Sequence, residues 1–238
     1  MALKPWYKVV TPREDLRDGR PLDASEFAVH LDQIKDGKAP VDYQDPERFF
    51  QRTYLTKNLT DLSSEVARRL SGQKVETNAV FNMTTQFGGG KTHALALLYH
   101  LASGGPNAKN WKGVSTLLEK AGARELIQAD VAVFVGQKFD PRGGDDGTPL
   151  RKTPWGEIAW QLVGIDAFRV LAKFDEEGIA PGGDTIAKLF LKKKPSLILI
   201  DECMNYVSRY RKSGLASQLY NFMHNLTEEA RSHDNVVV

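Results

Sequence analysis

Lys91 and Thr92, preceded by Gly88-Gly89-Gly90, are the residues whose types and spacing point most directly to chemistry. A phosphate-binding loop needs glycines so that the backbone curls and turns N–H groups inward. It also needs a helix N-terminus whose dipole favours anions, a lysine for the β- and γ-phosphates and a hydroxyl for Mg²⁺. Gly88, Gly89, Gly90, Lys91 and Thr92 supply these parts in order. His93 follows and closes the set of expected nucleotide-binding positions; as a helix residue it is expected to pack behind the loop rather than to react. The pattern G-x-x-x-x-G-K-[ST] would place its first glycine where Thr85 stands, so the entry turn departs from it while the phosphate and metal positions do not.

A loop of this kind works with an acidic residue at the tip of a neighbouring strand, which holds Mg²⁺ through water, and with a carboxylate that orients the attacking water. Leu197-Ile198-Leu199-Ile200 is an uninterrupted apolar run ending in Asp201-Glu202, so Asp201 is expected to serve the metal and Glu202 to act as general base. The second acid favours hydrolysis over transfer of phosphate to a bound acceptor. Hydrolysis of this type also uses an arginine, often from a neighbouring subunit, and Arg209, Arg211 and Arg231 follow downstream; each is equally compatible with an ordinary surface position. Tyr54 and Leu55 are candidates to cover a base, with core packing the favoured reading. Lys192-Lys193-Lys194 reads as a solvated approach to a buried strand.

The elements that must position these groups are legible in the hydrophobic pattern. Ala79–Met83 is a β-prone run leading into the glycines, and Lys91–Leu101 a helical one: strand, loop, helix. Leu62, Val66 and Leu70 share a helix face that Gly72 ends, and Phe49-Phe50 opens an earlier helix. A short helix is expected around 25–34 and another over 114–120. Val131–Val135 reads as a buried strand, Thr153-Pro154 as the cap and first turn of a helix, and 215–230 as an amphipathic helix. Val236–Val238 reads as the start of a strand. Strands alternating with helices predict an α/β domain with a mainly parallel sheet flanked by helices. Residues 1–74 are read as an N-terminal helical and irregular segment, and 75–238 as the core.

Composition sets the outer limits. The 238 residues are 41% hydrophobic and 26% charged with a net charge of +2, an ordinary globular balance that singles out no nucleic-acid partner. One cysteine, Cys203, excludes an internal disulfide and a thiolate zinc cluster. Residues 1–6 lack the apolar core of a signal peptide, and no apolar run approaches the roughly 18 residues of a membrane span, so the expectation is a cytoplasmic chain with no membrane partner. The Asn-x-Thr triplets at Asn58, Asn82 and Asn225 then carry no glycan.

The chain resembles the N-terminal part of a prokaryotic family of large AAA+-like ATPases, of the domain-of-unknown-function type, often encoded beside DNA methyltransferases in loci assigned to anti-phage defence. The resemblance is carried by 21–28 (PLDASEFA), 52–56 (RTYLT), 81–93 (FNMTTQFGGGKTH), 143–147 (GGDDG) with 153–157 (TPWGE), and 201–207 (DECMNYV). It implies an additional-strand P-loop NTPase fold, ATP over GTP and an anti-phage defence setting, and the leading expectation is Mg-dependent ATP hydrolysis that drives conformational work on a DNA or protein partner. It also implies partner ATPase subunits or a homo-oligomer. In that architecture the strand at Val236 inserts between the loop strand and the strand ending in Asp201, so the chain is expected to be a fragment stopping at the start of a central strand. A nucleotide-gated binding module with little turnover is the alternative.

Overall fold

The computed structural model describes residues 3–12, 14–19, 29–84, 88–145, 147–190 and 194–238. The first helices are α1 (Glu14–Arg17), α2 (Leu31–Lys35), α3 (Val41–Gln44), α4 (Pro46–Arg52), α5 (Lys57–Leu70), α6 (Lys91–Gly104) and α7 (Val114–Ala121). They are followed by β1 (Asp130–Val135), α8 (Pro154–Val163), α9 (Ile165–Glu177), α10 (Gly183–Ala187), β2 (Ser196–Asp201), α11 (Cys203–Arg209), α12 (Leu215–Ser232) and β3 (Val236–Val237).

The chain is α/β, with a small parallel sheet in the order β1-β2-β3. β1 and β2 pair along their whole length, Asp130 opposite Ser196 through Val135 opposite Asp201. β3 joins the other edge of β2 at Ser196 and Leu197. On the far side of β3, Val238 N donates to Ala79 O at 2.8 Å and Phe81 N donates to Val238 O at 2.9 Å, the pattern of a parallel rung. The strand predicted over 79–83 is therefore an extended segment joined by two hydrogen bonds rather than a full ladder, because the strand it meets is itself two residues long. Val236–Val238 lies between β2 and this segment.

Side chains alternate across the sheet, and both faces are covered, as parallel sheets require. Val133, Val135, Leu197, Leu199 and Val237 face a core built with Leu31, Ile34, Phe49, Phe50, Val66, Leu70 and Leu97. Ala132, Phe134, Ile198 and Val236 face the opposite one, with Trp155, Ile158, Leu171, Tyr206, Phe222 and Leu226. The N-terminal helices α2, α4 and α5 thus share a core with the sheet. α6 carries a continuous buried run, Ala94–Leu98, fitting a helix enclosed by neighbours rather than one with a solvent face.

Local signals behave as their chemistry dictates. Thr56 caps α5 by accepting from Leu59 N at 3.3 Å, and that helix buries Val66 and Leu70 before ending at Ser71-Gly72. Thr153 caps α8 by accepting from Gly156 N at 3.2 Å, with Pro154 in the first turn. The outer edge of β1 is closed by Gln161, whose Oε1 accepts from Val133 N at 2.6 Å while Nε2 donates to Val133 O at 3.0 Å. A side-chain amide there substitutes for a further strand.

One expectation changes, and two others reach beyond the described residues. Of the helix expected around 25–34, Leu31–Lys35 is α2, whereas residues 20–28 lie outside the described residues. Tyr54 is 84% exposed, which overturns core packing for that ring; Leu55 does pack against the core. Lys194 pairs with Asp130 at 3.0 Å, while Lys192 and Lys193 lie outside the described residues. Among the described residues no helix is long and apolar enough to cross a membrane.

Candidate functional site

The loop before α6 is shaped by its glycines. Gly88 (φ 78°) and Gly90 (φ 79°) both sit in the left-handed region, and Gly90 is the N-cap of α6. A Cβ at either would meet nothing within 4 Å, so the constraint is conformational and not steric. An L side chain there costs about 1–2 kcal/mol of backbone energy. No side chain among the described residues caps the helix start, and Gly88, Gly89 and Gly90 are all exposed. Backbone N–H groups at such an end lack intrahelical acceptors and favour an anion. Thr85, Gln86 and Phe87 lie outside the described residues.

Lys91, Thr92 and His93 form the first turn of α6. Thr92 Oγ1 donates to Asp201 Oδ2 at 2.7 Å, joining positions 109 apart in the chain. Asp201 ends β2, is 8% exposed, and accepts from Glu202 N at 2.9 Å through its other oxygen. One cavity of about 520 Å³ is lined by Lys91, Asp201 and Glu202 at one end and by Val80, Met83 and Ile200 among its apolar walls.

Glu202 stands directly after β2 with φ 51° and ψ 34°, an uncommon conformation for a non-glycine residue, and serves as the N-cap of α11. It is exposed, and Asn205 Nδ2 donates to its Oε2 at 3.4 Å. Its backbone is received by the tip of β1. Gly136 N donates to Asp201 O at 2.9 Å, and a Cβ on Gly136 would fall 2.4 Å from Glu202 O. Asn205 and Gly136 are not among the site residues expected from sequence; Asn205 falls inside the 201–207 stretch that carries the resemblance, and a glycine after the β1 run is the only trace of Gly136.

His93 turns away from Asp201. Its Nε2 lies 3.2 Å from Thr53 Oγ1 and its Nδ1 3.3 Å from Tyr43 Oη, with the ring stacked on Phe49 at 4.8 Å. Burial pushes its pKa below the usual imidazole value. Of the three arginines, Arg209 donates to Phe139 O at 2.7 Å and to Gln137 O at 2.5 Å, and pairs with Asp140. Arg231 pairs with Glu228, and Arg211 is exposed. The arrangement can hold an anion at the start of α6, place a hydroxyl and a carboxylate together beside it, and present a second carboxylate at the rim.

The family model described as DUF499 N-terminal domain matches residues 1–238, the whole chain. The chain belongs to this family. In this DUF499 N-terminal domain the glycine loop, the Thr92–Asp201 contact and Glu202 therefore fall inside the matched region. No curated protein and no solved structure matches the chain.

Proposed function

We propose that this DUF499 N-terminal domain binds ATP with Mg²⁺ and hydrolyses it, as a P-loop NTPase of the additional-strand, AAA+-like kind. The observation that carries the reading is the hydrogen bond from Thr92 to Asp201, which joins the end of the glycine loop to the tip of a parallel strand. Its support is the strand arrangement, with Val236–Val238 between β2 and the segment leading into the loop.

The donor set fits Mg²⁺. The ion prefers hard oxygen ligands, keeps several waters, and is usually held by one or two protein oxygens plus substrate phosphates. Thr92 Oγ1 and Asp201 Oδ2 offer that pair, and among the described residues no three His, Cys, Asp or Glu cluster as a metal cage. When bound, the ion would neutralise charge on the β- and γ-phosphate oxygens. In this reading the N–H groups at the start of α6 and Lys91 bind the phosphates. Glu202 accepts a proton from the water that attacks the γ-phosphorus as the bond to ADP breaks. A neighbouring copy or partner ATPase subunit supplies an arginine, and turnover drives conformational work on a DNA or protein partner.

A second reading, nucleotide binding that gates a partner with little turnover, is favoured by the contact of Asn205 with Glu202. Glu202→Gln separates the two. Hydrolysis predicts that phosphate release falls by at least about 100-fold while nucleotide stays bound, the range for a lost general base. Gating predicts that phosphate release is already near background in the unaltered chain.

A further inference from the structure

We propose that His93 is a positioning residue for the phosphate site, and that Tyr43 and Thr53 hold it there, making the N-terminal layer over residues 41–53 part of that site. The inference rests on the nucleotide reading above and concerns what fixes the first turn of α6.

Gly88, Gly89 and Gly90 carry no side chains, and no side chain among the described residues caps the helix. The buried run Ala94–Leu98 packs the body of α6, and the first-turn side chains Thr92 and His93 add polar anchors at its start. Successive helix residues differ by about 100° around the axis, so Thr92 and His93 reach different walls. Thr92 holds β2 through Asp201, and His93 holds Thr53, just after α4, and Tyr43 of α3. Adjacent residues thus clamp the helix start between the sheet and the N-terminal layer.

The hydrogen positions follow from the partners. Thr53 Oγ1 donates its single proton to Phe49 O at 2.8 Å, so toward His93 it can only accept. His93 Nε2 therefore carries the hydrogen, and Nδ1 accepts from the Tyr43 hydroxyl. Both nitrogens are engaged in the neutral ring, which stacks on Phe49 and meets Tyr43 edge-on at 5.7 Å.

His100 provides the comparison. It lies on the same helix, stacks on the same Phe49 at 5.1 Å and hydrogen-bonds Tyr43 O at 2.8 Å, yet is seven residues from His93 and so roughly 10 Å farther along the axis.

The test measures Mg-ATP and Mg-tripolyphosphate affinity, together with the unliganded melting temperature, for the full chain and for His93→Phe, Tyr43→Phe and His100→Phe. Phenylalanine keeps the stacked ring and removes the polar contacts. The expected result is a roughly tenfold loss of affinity for both ligands in His93→Phe and a smaller loss in Tyr43→Phe. His100→Phe, with a similar change in melting temperature, should stay within about twofold of the parent. Equal losses in all three variants, or unchanged affinity in His93→Phe and Tyr43→Phe, would overturn the proposal. If His93→Phe does not fold, Tyr43→Phe against His100→Phe decides. A folded parent chain that binds neither ligand refutes the nucleotide reading itself, and this inference with it.

Discussion

Asp201→Asn should separate the structural part of the Thr92–Asp201 contact from its metal part. The carboxylate accepts from Thr92 Oγ1 at 2.7 Å and from Glu202 N at 2.9 Å. Asparagine is nearly isosteric: its carbonyl oxygen still accepts from Glu202 N, and its amide faces the threonine hydroxyl as a donor. What is lost is the charge on these bonds. Hydrogen bonds to charged groups contribute about 1.5–3 kcal/mol each and neutral ones about 0.5–1.5 kcal/mol, so over the two bonds the cost is about 2–3 kcal/mol. For a chain of this size that lowers the melting temperature by about 4–12 °C. The metal effect should be far larger in proportion. The parent chain is stabilised more by ATP with Mg²⁺ than by ATP with EDTA; Asp201→Asn keeps the EDTA response and loses the added response to Mg²⁺. The assay is thermal unfolding at saturating ATP with and without the metal. A variant that keeps the full Mg²⁺ increment would refute the placement of the ion at Thr92 and Asp201.

Two further outcomes follow from the geometry. Gly136→Ala forces a Cβ to 2.4 Å from the backbone oxygen of Glu202. Overpacking of this kind costs about 1–3 kcal/mol, and because the displaced residue is Glu202, phosphate release should fall more than ATP affinity does. Comparing Kd with turnover checks this; an equal fall in both would contradict it. Stability should also decline on acidification. His93 and His100 are both held below their ordinary value of 6.5, chiefly by burial, so below that pH the unfolded chain binds protons that the folded chain does not. Each such histidine lowers stability by up to about 1.4 kcal/mol per pH unit, from near pH 6.5 down to its folded pKa. Melting temperatures from pH 7.5 to 5.5 should show this fall, with a shallower slope in His93→Phe.

Much of this arrangement can be read from residue types alone. The run Leu197–Ile200 ending in two acids becomes β2 with Asp201 at its tip, and the four-residue spacing of Leu62, Val66 and Leu70 becomes the buried face of α5. Thr153-Pro154 caps α8 because a hydroxyl and a ring with fixed φ are local signals. The segment 79–83 shows where such reading stops, since its strand character depends on the partner it meets. Tyr54 shows the same limit: an aromatic residue beside Leu55 reads as core, yet its burial depends on where the turn after α4 points. α9 is absent from the expected elements, although Gly164 and Gly178 bracket it and Ala167, Phe168 and Leu171 share its buried face. The contacts of His93 with Tyr43 and Thr53, of Asn205 with Glu202, and of Gly136 with the same residue are matters of packing between distant segments, which local pattern does not encode.

The reading stands most directly on the thermal response of the chain and of Lys91→Ala to excess Mg-ATP. A ligand at about 100 times its dissociation constant adds about 2.7 kcal/mol, which for a chain of this size raises the melting temperature by about 5–10 °C. The account predicts that rise in the parent chain and its loss in Lys91→Ala. A folded parent chain with no rise, or a rise that Lys91→Ala retains in full, would contradict it.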